Sequence, residues 1–537
     1  MDQKYIELAL LNIERFGDTD IFPVTIEKQV FSDCKLEVID YIQKIDNNCF
    51  DILNKLPPVN ISTFSPLGFT GFRWATQIDP IWNAYFLSLV LSISDNIERD
   101  KIQNEKKVIH SYRFSPDYEN GTLFDNNTNW QSFQTHSIEI AKNSDYQFVV
   151  SCDIADYYGR IYHHKLENAL LRLGITNDSP KKIVKILQKF SGTNSYGLPI
   201  GGPAARILAE LALNNTDKIL QMNGIKFIRF VDDIYIFSKT QEQAHASLNY
   251  LAIKLMTNEG LSLQKHKTQI LSKTEFVNLI SSRVNSESEE GKAKIRTKFM
   301  SLPIRFDPYS PTADIDYKKI QKELNEFDIL DLLNEELRKT RIHQQFSKHL
   351  LKTLNVLEDK IVSNAFLAIT DKFELLYPIF PNLMVAAFIN FEKLEEKSKN
   401  QLINKLRELV VNDSYIIQIE LNTTLLIRVL GKHHTNENEE ILAHLYKKYQ
   451  NSILVKSWIM QVFTNWKLLF WLSDQKQNFP TMSKWERRIF IIASYFMKDE
   501  GKHWREHNKQ GFSDFEKIVS NWASMQKEKN LNWNIIL

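Results

Sequence analysis

Residues 227–237 constrain this chain more than any other stretch. Phe227, Ile228 and Phe230 on one side, and Ile234, Tyr235, Ile236 and Phe237 on the other, flank Val231-Asp232-Asp233. Two apolar runs rich in β-branched and aromatic residues predict a β-hairpin with both carboxylates at its tip. A tight turn ordinarily takes one Asp followed by Gly. Two adjacent carboxylates between hydrophobic strands repel each other unless a cation sits there, which points to a divalent-metal site. Taken alone, the pair fits an ordinary surface turn equally well.

A third carboxylate shifts the balance. The apolar run 148–152 reads as a buried strand that ends in Asp153 and leads into a helical stretch. Between the two carboxylate motifs lies Gly197-Leu198-Pro199-Ile200-Gly201-Gly202-Pro203, followed by a helical run over 204–214. A strand with a terminal Asp, a Gly-rich turn into a helix and then an Asp-Asp hairpin is the order of a polymerase palm. The chain resembles a reverse transcriptase, with Asp153 in motif A, residues 197–203 in motif B and Val231-Asp232-Asp233 in motif C. More narrowly it resembles the phage-defence (abortive-infection, "unknown group") reverse transcriptases. The segments that carry this are Gly71-Phe72-Arg73-Trp74-Ala75-Thr76, Ser111-Tyr112-Arg113-Phe114, and the motif B turn with Ile207-Leu208-Ala209-Glu210. The resemblance covers residues 65–275 and is looser beyond.

Nucleotidyl transfer in such enzymes uses two cations roughly 3.5–4 Å apart. The resemblance implies Mg²⁺, with Mn²⁺ as a substitute, held by Asp153, Asp232 and Asp233 and the Ile154 carbonyl; hard divalent ions favour oxygen ligands. It implies dNTPs as substrates. Arg113 and Arg73 would neutralise the triphosphate through the guanidinium fork, and Lys267 would stand as a general acid for pyrophosphate. Tyr158, five residues after Asp153, would be the aromatic gate against a sugar 2′-hydroxyl, with Tyr157 competing for that position. Gly201 and Gly202 would let backbone approach a nucleotide or template closely. Asp156 reads better as a helix cap than as part of the site. The chain departs from the family where Ile200 replaces the usual Gln and Val231 replaces the usual Ala.

Composition adds bounds. The hydrophobic fraction of 43% argues for a folded chain. Lys+Arg exceed Asp+Glu by only two, so no global basic field advertises nucleic acid. Cys34, Cys49 and Cys152 show no zinc spacing and fit a reducing compartment. The start has no signal-peptide shape and the longest apolar runs, such as 84–93, are about half the length of a membrane helix. A soluble, cytoplasmic protein without a membrane contact is expected.

Periodicity predicts three regions: an N-terminal helical extension over 1–60, fingers and palm over 61–283, and an α-helical repeat-like region over 284–537 in place of a thumb. The fold class is therefore α+β, a right-hand fingers and palm with a small antiparallel sheet, followed by a large all-α part. Within it, 80 onward reads as a long helix capped by Asp79, 108–114 as a strand, 130–142 as a helix, 241–258 as a helix ended by Gly260, 261–270 as a strand and 285–294 as a charged loop.

Weaker patterns remain. Arg338 with His343, and Arg428 with His433, match a loose Arg-x4-6-His ribonuclease signature, with structural roles preferred. The C-terminal tryptophans read as core. Relatives of the resembled kind prime from a protein tyrosine, synthesise DNA without a conventional template and oligomerise. This makes Tyr5 and Tyr41 candidate primers, a covalently attached DNA product an outcome, and a homo-oligomer an expectation. Two other readings stay open: templated synthesis on a bound RNA partner, and an inactive palm serving as a binding scaffold.

Overall fold

The computed structural model describes residues 1–143, 145–284, 299–300, 302, 324, 327–530, 532–535 and 537. The loop expected over 285–294 lies outside them. The chain divides into two compact units. The first comprises residues 1–61, 75–283 and 513–522, and the second 62–74, 284–512 and 523–537.

The first unit begins with α1 (Gln3–Phe16), α2 (Glu27–Asp33), α3 (Lys35–Asn47) and α4 (Cys49–Lys55). The apolar positions at helical spacing in α1 and α3 are the buried ones, as amphipathic helices require. The two-stranded sheet of β1 (Ile61–Leu67) and β2 (Gly71–Gln77) follows, its residues 62–74 grouping with the second unit. This hairpin has no clear signal in the sequence, because Pro66 and Ser65 interrupt its apolar alternation. Next comes α5 (Pro80–Asp100), with Pro80 in its first turn and Asp79 at the N-cap position, though Asp79 makes no side-chain cap bond.

The palm is a four-stranded sheet in the order β4-β5-β3-β6, formed by β3 (Phe148–Asp153), β4 (Lys226–Phe230), β5 (Asp233–Ser238) and β6 (Gln269–Ser272). The three strand pairings within it are antiparallel. Along the chain the sheet is interleaved with α6 (Trp130–Lys142), α7 (Tyr157–Arg160), α8 (His163–Arg172), α9 (Ser179–Phe190), α10 (Pro203–Met222), α11 (Gln241–Lys254) and α12 (Lys273–Val284). The central strands β3 and β5 are buried almost throughout, which explains why they read as unbroken apolar runs rather than alternating ones. Phe133, Ile140, Val149, Ile228, Tyr235, Phe237, Phe276 and Ile280 make one core cluster there, with the Phe133 and Tyr235 rings stacked at 4.7 Å.

Two expected strands are corrected. Residues 108–114 make only isolated bridges, Ile109 to Arg229 and Phe114 to Phe124, because Tyr112 adopts a left-handed φ of 45° that breaks extension. Residues 261–270 hold a bridge at Leu263 and a 3-10 turn over Lys265–Lys267 before β6 begins at Gln269. Gly260, left-handed at φ 73°, ends the helical stretch after α11 as expected.

The second unit is helical throughout its described part apart from the hairpin residues. Ile329–Leu337 packs on Asp359–Thr370, that helix on Glu396–Val411, and that one on Asn436–Lys448. In parallel, Gln344–Thr353, Phe380–Asn390, Glu420–Leu430, Ile453–Asn465 and Lys484–Ala493 pack each on the next. Alternate helices thus stack in two series. The tryptophans of this region are largely core: Trp458 and Trp485 are about 5% exposed or less, and Trp533 is 8% exposed. His343 caps the helix after it by accepting from the Phe346 N–H, and the Arg428 guanidinium lies against the Phe388 and Trp458 rings, so both pairs of the ribonuclease-like pattern have structural work. No helix among the described residues is long and apolar enough to cross a membrane.

Candidate active site

Antiparallel register brings the distant motifs together. Asp153, the last residue of β3, is the direct partner of Asp233, the first residue of β5. Directly opposed residues project to the same face, their Cβ atoms about 5 Å apart. Asp232 lies in the two-residue turn between β4 and β5, so only one carboxylate of the pair is at the tip itself. The turn is tied to motif A, because the Ile154 N–H donates to the Asp232 carbonyl at 3.1 Å. Ile154 bridges Leu263 through its neighbours' groups, with Ala155 N–H donating to Ser262 and Gln264 N–H to Asp153. The Ile154 carbonyl takes no part in those bonds.

The Asp153 and Asp232 carboxylates act on each other. Burial, and then the Asp153 charge, push the Asp232 carboxyl up to about 6. Lys267 Nζ lies 2.6 Å from Asp153 Oδ2. Burial lowers the Lys267 ammonium, but the hydrogen bond and charge of Asp153, with Asp233 and Asp232, outweigh it and raise it. Among the described residues no three His, Cys, Asp or Glu side chains converge as a ready-made metal cage. The donor set nevertheless suits a hard cation: all-oxygen, mutually repelling, and already drawing an ammonium group onto Asp153.

A buried network supports the turn. Val231 sits at a left-handed φ of 56°, an unusual conformation for a β-branched residue and one that costs about 1–3 kcal/mol. Its N–H donates to Ser111 Oγ at 2.9 Å, and its carbonyl accepts from Arg229 Nη1 at 2.8 Å. Ser111 Oγ in turn donates to Glu210 Oε1 at 2.6 Å. Arg229 Nη2 pairs with Glu210 at 2.9 Å and with Asp217 at 2.7 Å, and all three side chains are at most 2% exposed. Segment 108–110 adds to β4 through the Arg229 N–H to Val108 carbonyl and His110 N–H to Arg229 carbonyl bonds. Sequence reasoning gave these residues no role. The available signal was a charge inside each apolar run, Arg229 in β4 and Glu210 in α10, since a buried charge needs a buried partner.

The remaining expected residues separate. Tyr157 is core, its hydroxyl donating to the Ala209 carbonyl at 2.5 Å. Tyr158 is half-buried, and its hydroxyl is held well above the usual range by burial, Tyr112 and Glu210, with Asp232 also contributing. Tyr158 is therefore the ring that shares the neighbourhood of the carboxylates. Arg113 is a correction: it is 3% exposed and bonds Glu98 at 2.8 Å and the Ile102 carbonyl, which turns its fork into the protein. Arg73 groups with the second unit, near Lys348 and Lys352.

Gly201 is also corrected. A Cβ there would lie 2.3 Å from Thr19 Oγ1, so the close approach it permits is by the chain's own residues 18–20. Gly202 faces the Asp18 carbonyl at 3.5 Å from where its Cβ would stand. Asp156 stands at the N-cap of α7 but makes no cap bond, and pairs with Arg160 at 3.4 Å instead. Tyr5 lies on α1 beside a cavity that Asp46 and Lys182 also line. Tyr41 lies on α3 stacked against Phe515, its hydroxyl pushed up to about 12 by burial and by Asp514, Asp79 and Glu516.

Strand order, opposed aspartates and the glycine turn between them define a polymerase palm. Residues 103–294 match the protein family described as reverse transcriptase (RNA-dependent DNA polymerase), and this part of the chain is a domain of that kind. No curated protein matches the sequence. Among solved structures, telomerase from Candida albicans in complex with the TWJ fragment of telomeric RNA aligns at 11% identity and TM-score 0.32, covering 67% of this chain and 62% of that one. Apo telomerase from Candida tropicalis aligns at 11% identity and TM-score 0.31, covering 72% of this chain and 67% of that one. The chain thus spans less than two thirds of the first of these structures.

Proposed function

We propose that this protein is a Mg²⁺-dependent DNA polymerase that serves in anti-phage defence, primes from one of its own tyrosines and extends DNA from dNTPs without a conventional template. The observation that carries the polymerase reading is the Asp153–Asp233 register, with Asp232 in the adjoining turn, inside a segment that matches the reverse-transcriptase family. When bound there, divalent ions would lower the cost of the attacking oxyanion and of the departing pyrophosphate. The chain's own contribution is placement. The buried network fixes the turn, Tyr158 closes one side of the nucleotide position, and Lys267 stands ready to give a proton to the leaving group.

The defence role, self-priming and homo-oligomeric state rest on the resemblance of residues 71–76, 111–114, 197–203 and 207–210 and on the long helical region that follows the palm in the sequence. Of the two candidate primers, Tyr5 is favoured over Tyr41, whose ring stacks on Phe515 and whose hydroxyl is pushed up to about 12. The three buried thiols, Cys34, Cys49 and Cys152, form no disulfide and fit a cytoplasmic setting.

The test incubates purified protein with Mg²⁺ and labelled dNTPs, adding neither primer nor template, beside an Asp232→Ala, Asp233→Ala control. Label that migrates with the polypeptide, is released by protease and is absent from the control supports the proposal. Incorporation only after cellular RNA is added would replace it with templated synthesis on an RNA partner. No incorporation under either condition would leave the palm a scaffold.

A further inference from the structure

With Arg113 turned inward, another cation must face the nucleotide. Arg206 lies in the first turn of α10, directly after the glycine turn of motif B, where helix N–H groups also favour an anion. Its guanidinium stacks over the Tyr112 ring at 5.3 Å. Tyr112 and Tyr158 each feel the charges of Arg206, Glu210 and Asp232, so Arg206, the two rings and the catalytic turn occupy one neighbourhood. Arg206 Nη2 already holds an anion: Asp20 Oδ2, at 2.6 Å.

Asp20 belongs to the connector between α1 and α2, and this connector lies on motif B. The Asp20 N–H donates to the Gly201 carbonyl at 3.3 Å, and Thr19 fills the space that a side chain at Gly201 would need. The connector is anchored by buried groups on both sides of Asp20: the Asp18 carboxylate accepts from Gln77 Nε2 at 3.1 Å and Asn83 Nδ2 reaches the Asp18 carbonyl, while Gln77 Nε2 also reaches the Pro23 carbonyl at 3.4 Å and Phe22 is buried. Between these anchors, Asp20 is 58% exposed. An ion pair this exposed is weak, whereas phosphate oxygens accept a bidentate guanidinium and carry more charge.

We propose that Arg206 binds the triphosphate of the incoming nucleotide, and that the Asp20 carboxylate holds that position until nucleotide displaces it. The inference rests on the polymerase reading above and adds to it a phosphate-binding residue and an internal competitor. It makes the exposed Asp20 carboxylate a latch on Arg206, released by the substrate itself while its neighbours stay anchored.

The experiment measures binding of dTTP with Mg²⁺ to the full chain by calorimetry, for the wild type, Asp20→Asn, Arg206→Ala and the double variant. Removing the competitor should tighten binding about two- to fivefold, the range that an exposed ion pair can account for. Arg206→Ala should weaken it about tenfold or more, the loss of a charge-assisted phosphate contact. In the double variant the gain from Asp20→Asn should vanish. Should Arg206→Ala melt below the wild type, Arg206→Gln carries the same comparison. Unchanged binding in Asp20→Asn, or a gain that persists without Arg206, overturns the inference while leaving the polymerase reading in place. A wild type that binds no dTTP overturns both.

Discussion

Lys267 Nζ stands 2.6 Å from Asp153 Oδ2, joining the 3-10 turn before β6 to the end of β3. The ammonium therefore sits on a carboxylate that a divalent ion would need. Lys267 is 63% exposed, so the pair is worth little, about 0–1 kcal/mol. Lys267→Met should let Mn²⁺ bind up to about fivefold more tightly, because one competitor is gone. The same change should slow single-turnover incorporation about 10²- to 10⁴-fold if the ammonium protonates pyrophosphate. Electron paramagnetic resonance of the Mn²⁺ titration reads the first effect and rapid quench the second. Tighter metal with an unchanged rate would leave Lys267 a placeholder without an acid role.

The Asp232 carboxyl, raised to about 6 by burial and by Asp153, makes stability depend on pH in an unusual direction. An unperturbed Asp titrates near about 3.9, so the folded chain binds this proton more tightly than the unfolded one. The stabilising contribution is complete below the unfolded value and is lost as pH rises through about 6. Asp18, also raised to about 6 by burial, acts in the same window. Without divalent ions the melting temperature should fall as pH rises from about 5 to 7, and less so in Asp232→Asn. With Mg²⁺ the slope should reverse for the wild type, because the metal takes the carboxylate and displaces the proton. Calorimetric melts of both proteins across that range, with and without Mg²⁺, check it. Parallel slopes in the two proteins would remove Asp232 as the cause.

Arg229, Glu210 and Asp217 form a buried ion triad whose removal should act on the hairpin as well as on stability. Arg229→Met leaves two buried carboxylates unpaired, a loss of about 3–5 kcal/mol. Ser111→Ala is the finer probe. It leaves the Val231 N–H without its partner, about 1–3 kcal/mol, while Glu210 Oε1 keeps Arg229 Nη1 at 3.3 Å and the triad is spared. Its incorporation rate should drop in kcat with little change in KM, since the turn carrying Asp232 loses an anchor and no substrate contact changes. Ser111→Thr, which keeps the hydroxyl, should restore the rate. A rate that tracks stability alone across the three variants would reduce the network to a structural one.

The palm was legible because its signals are local. An apolar strand ending in Asp153, a Gly-Pro turn and an Asp pair between β-forming runs each announce themselves within a few residues, and register then brings them together. The helices over 130–142 and from Pro203 onward were legible for the same reason, through periodicity and breaker residues. What failed was tertiary. Arg113 reads as a free guanidinium until Glu98 is seen beside it, and Gly201 reads as room for a ligand until Thr19 is seen in that room. The strand expected over 108–114 had the right composition. One left-handed residue, Tyr112, diverts it, and that residue places Ser111 under the Val231 N–H. No pattern in residues 17–21 marks them as partners of motif B, because the contacts span some 180 positions.

Two adjacent tyrosines are candidates for the proposed sugar gate, and their surroundings separate them. Tyr157 is buried and its hydroxyl is committed to the Ala209 carbonyl of α10, so truncating it removes packing and a hydrogen bond. Tyr158 is half-buried, forms an edge contact with the Tyr157 ring at 5.6 Å, and shares electrostatic surroundings with Tyr112, Arg206 and Asp232. Its backbone is fixed to motif B, since its carbonyl accepts the Leu198 N–H at 2.8 Å. In the proposed gate role, a ring held in this way would discriminate by collision with a 2′-hydroxyl, which a smaller side chain would not do. Tyr158→Val should therefore raise the ratio of ribonucleotide to deoxynucleotide incorporation by at least about tenfold, with a small loss of deoxynucleotide rate. Tyr157→Phe should lower the melting temperature and leave that ratio unchanged. Competing labelled dCTP against CTP, with alkaline cleavage of the product, measures the ratio directly. A ratio that moves with Tyr157 and not with Tyr158 would transfer the gate to the buried ring and contradict the exposure that separates them.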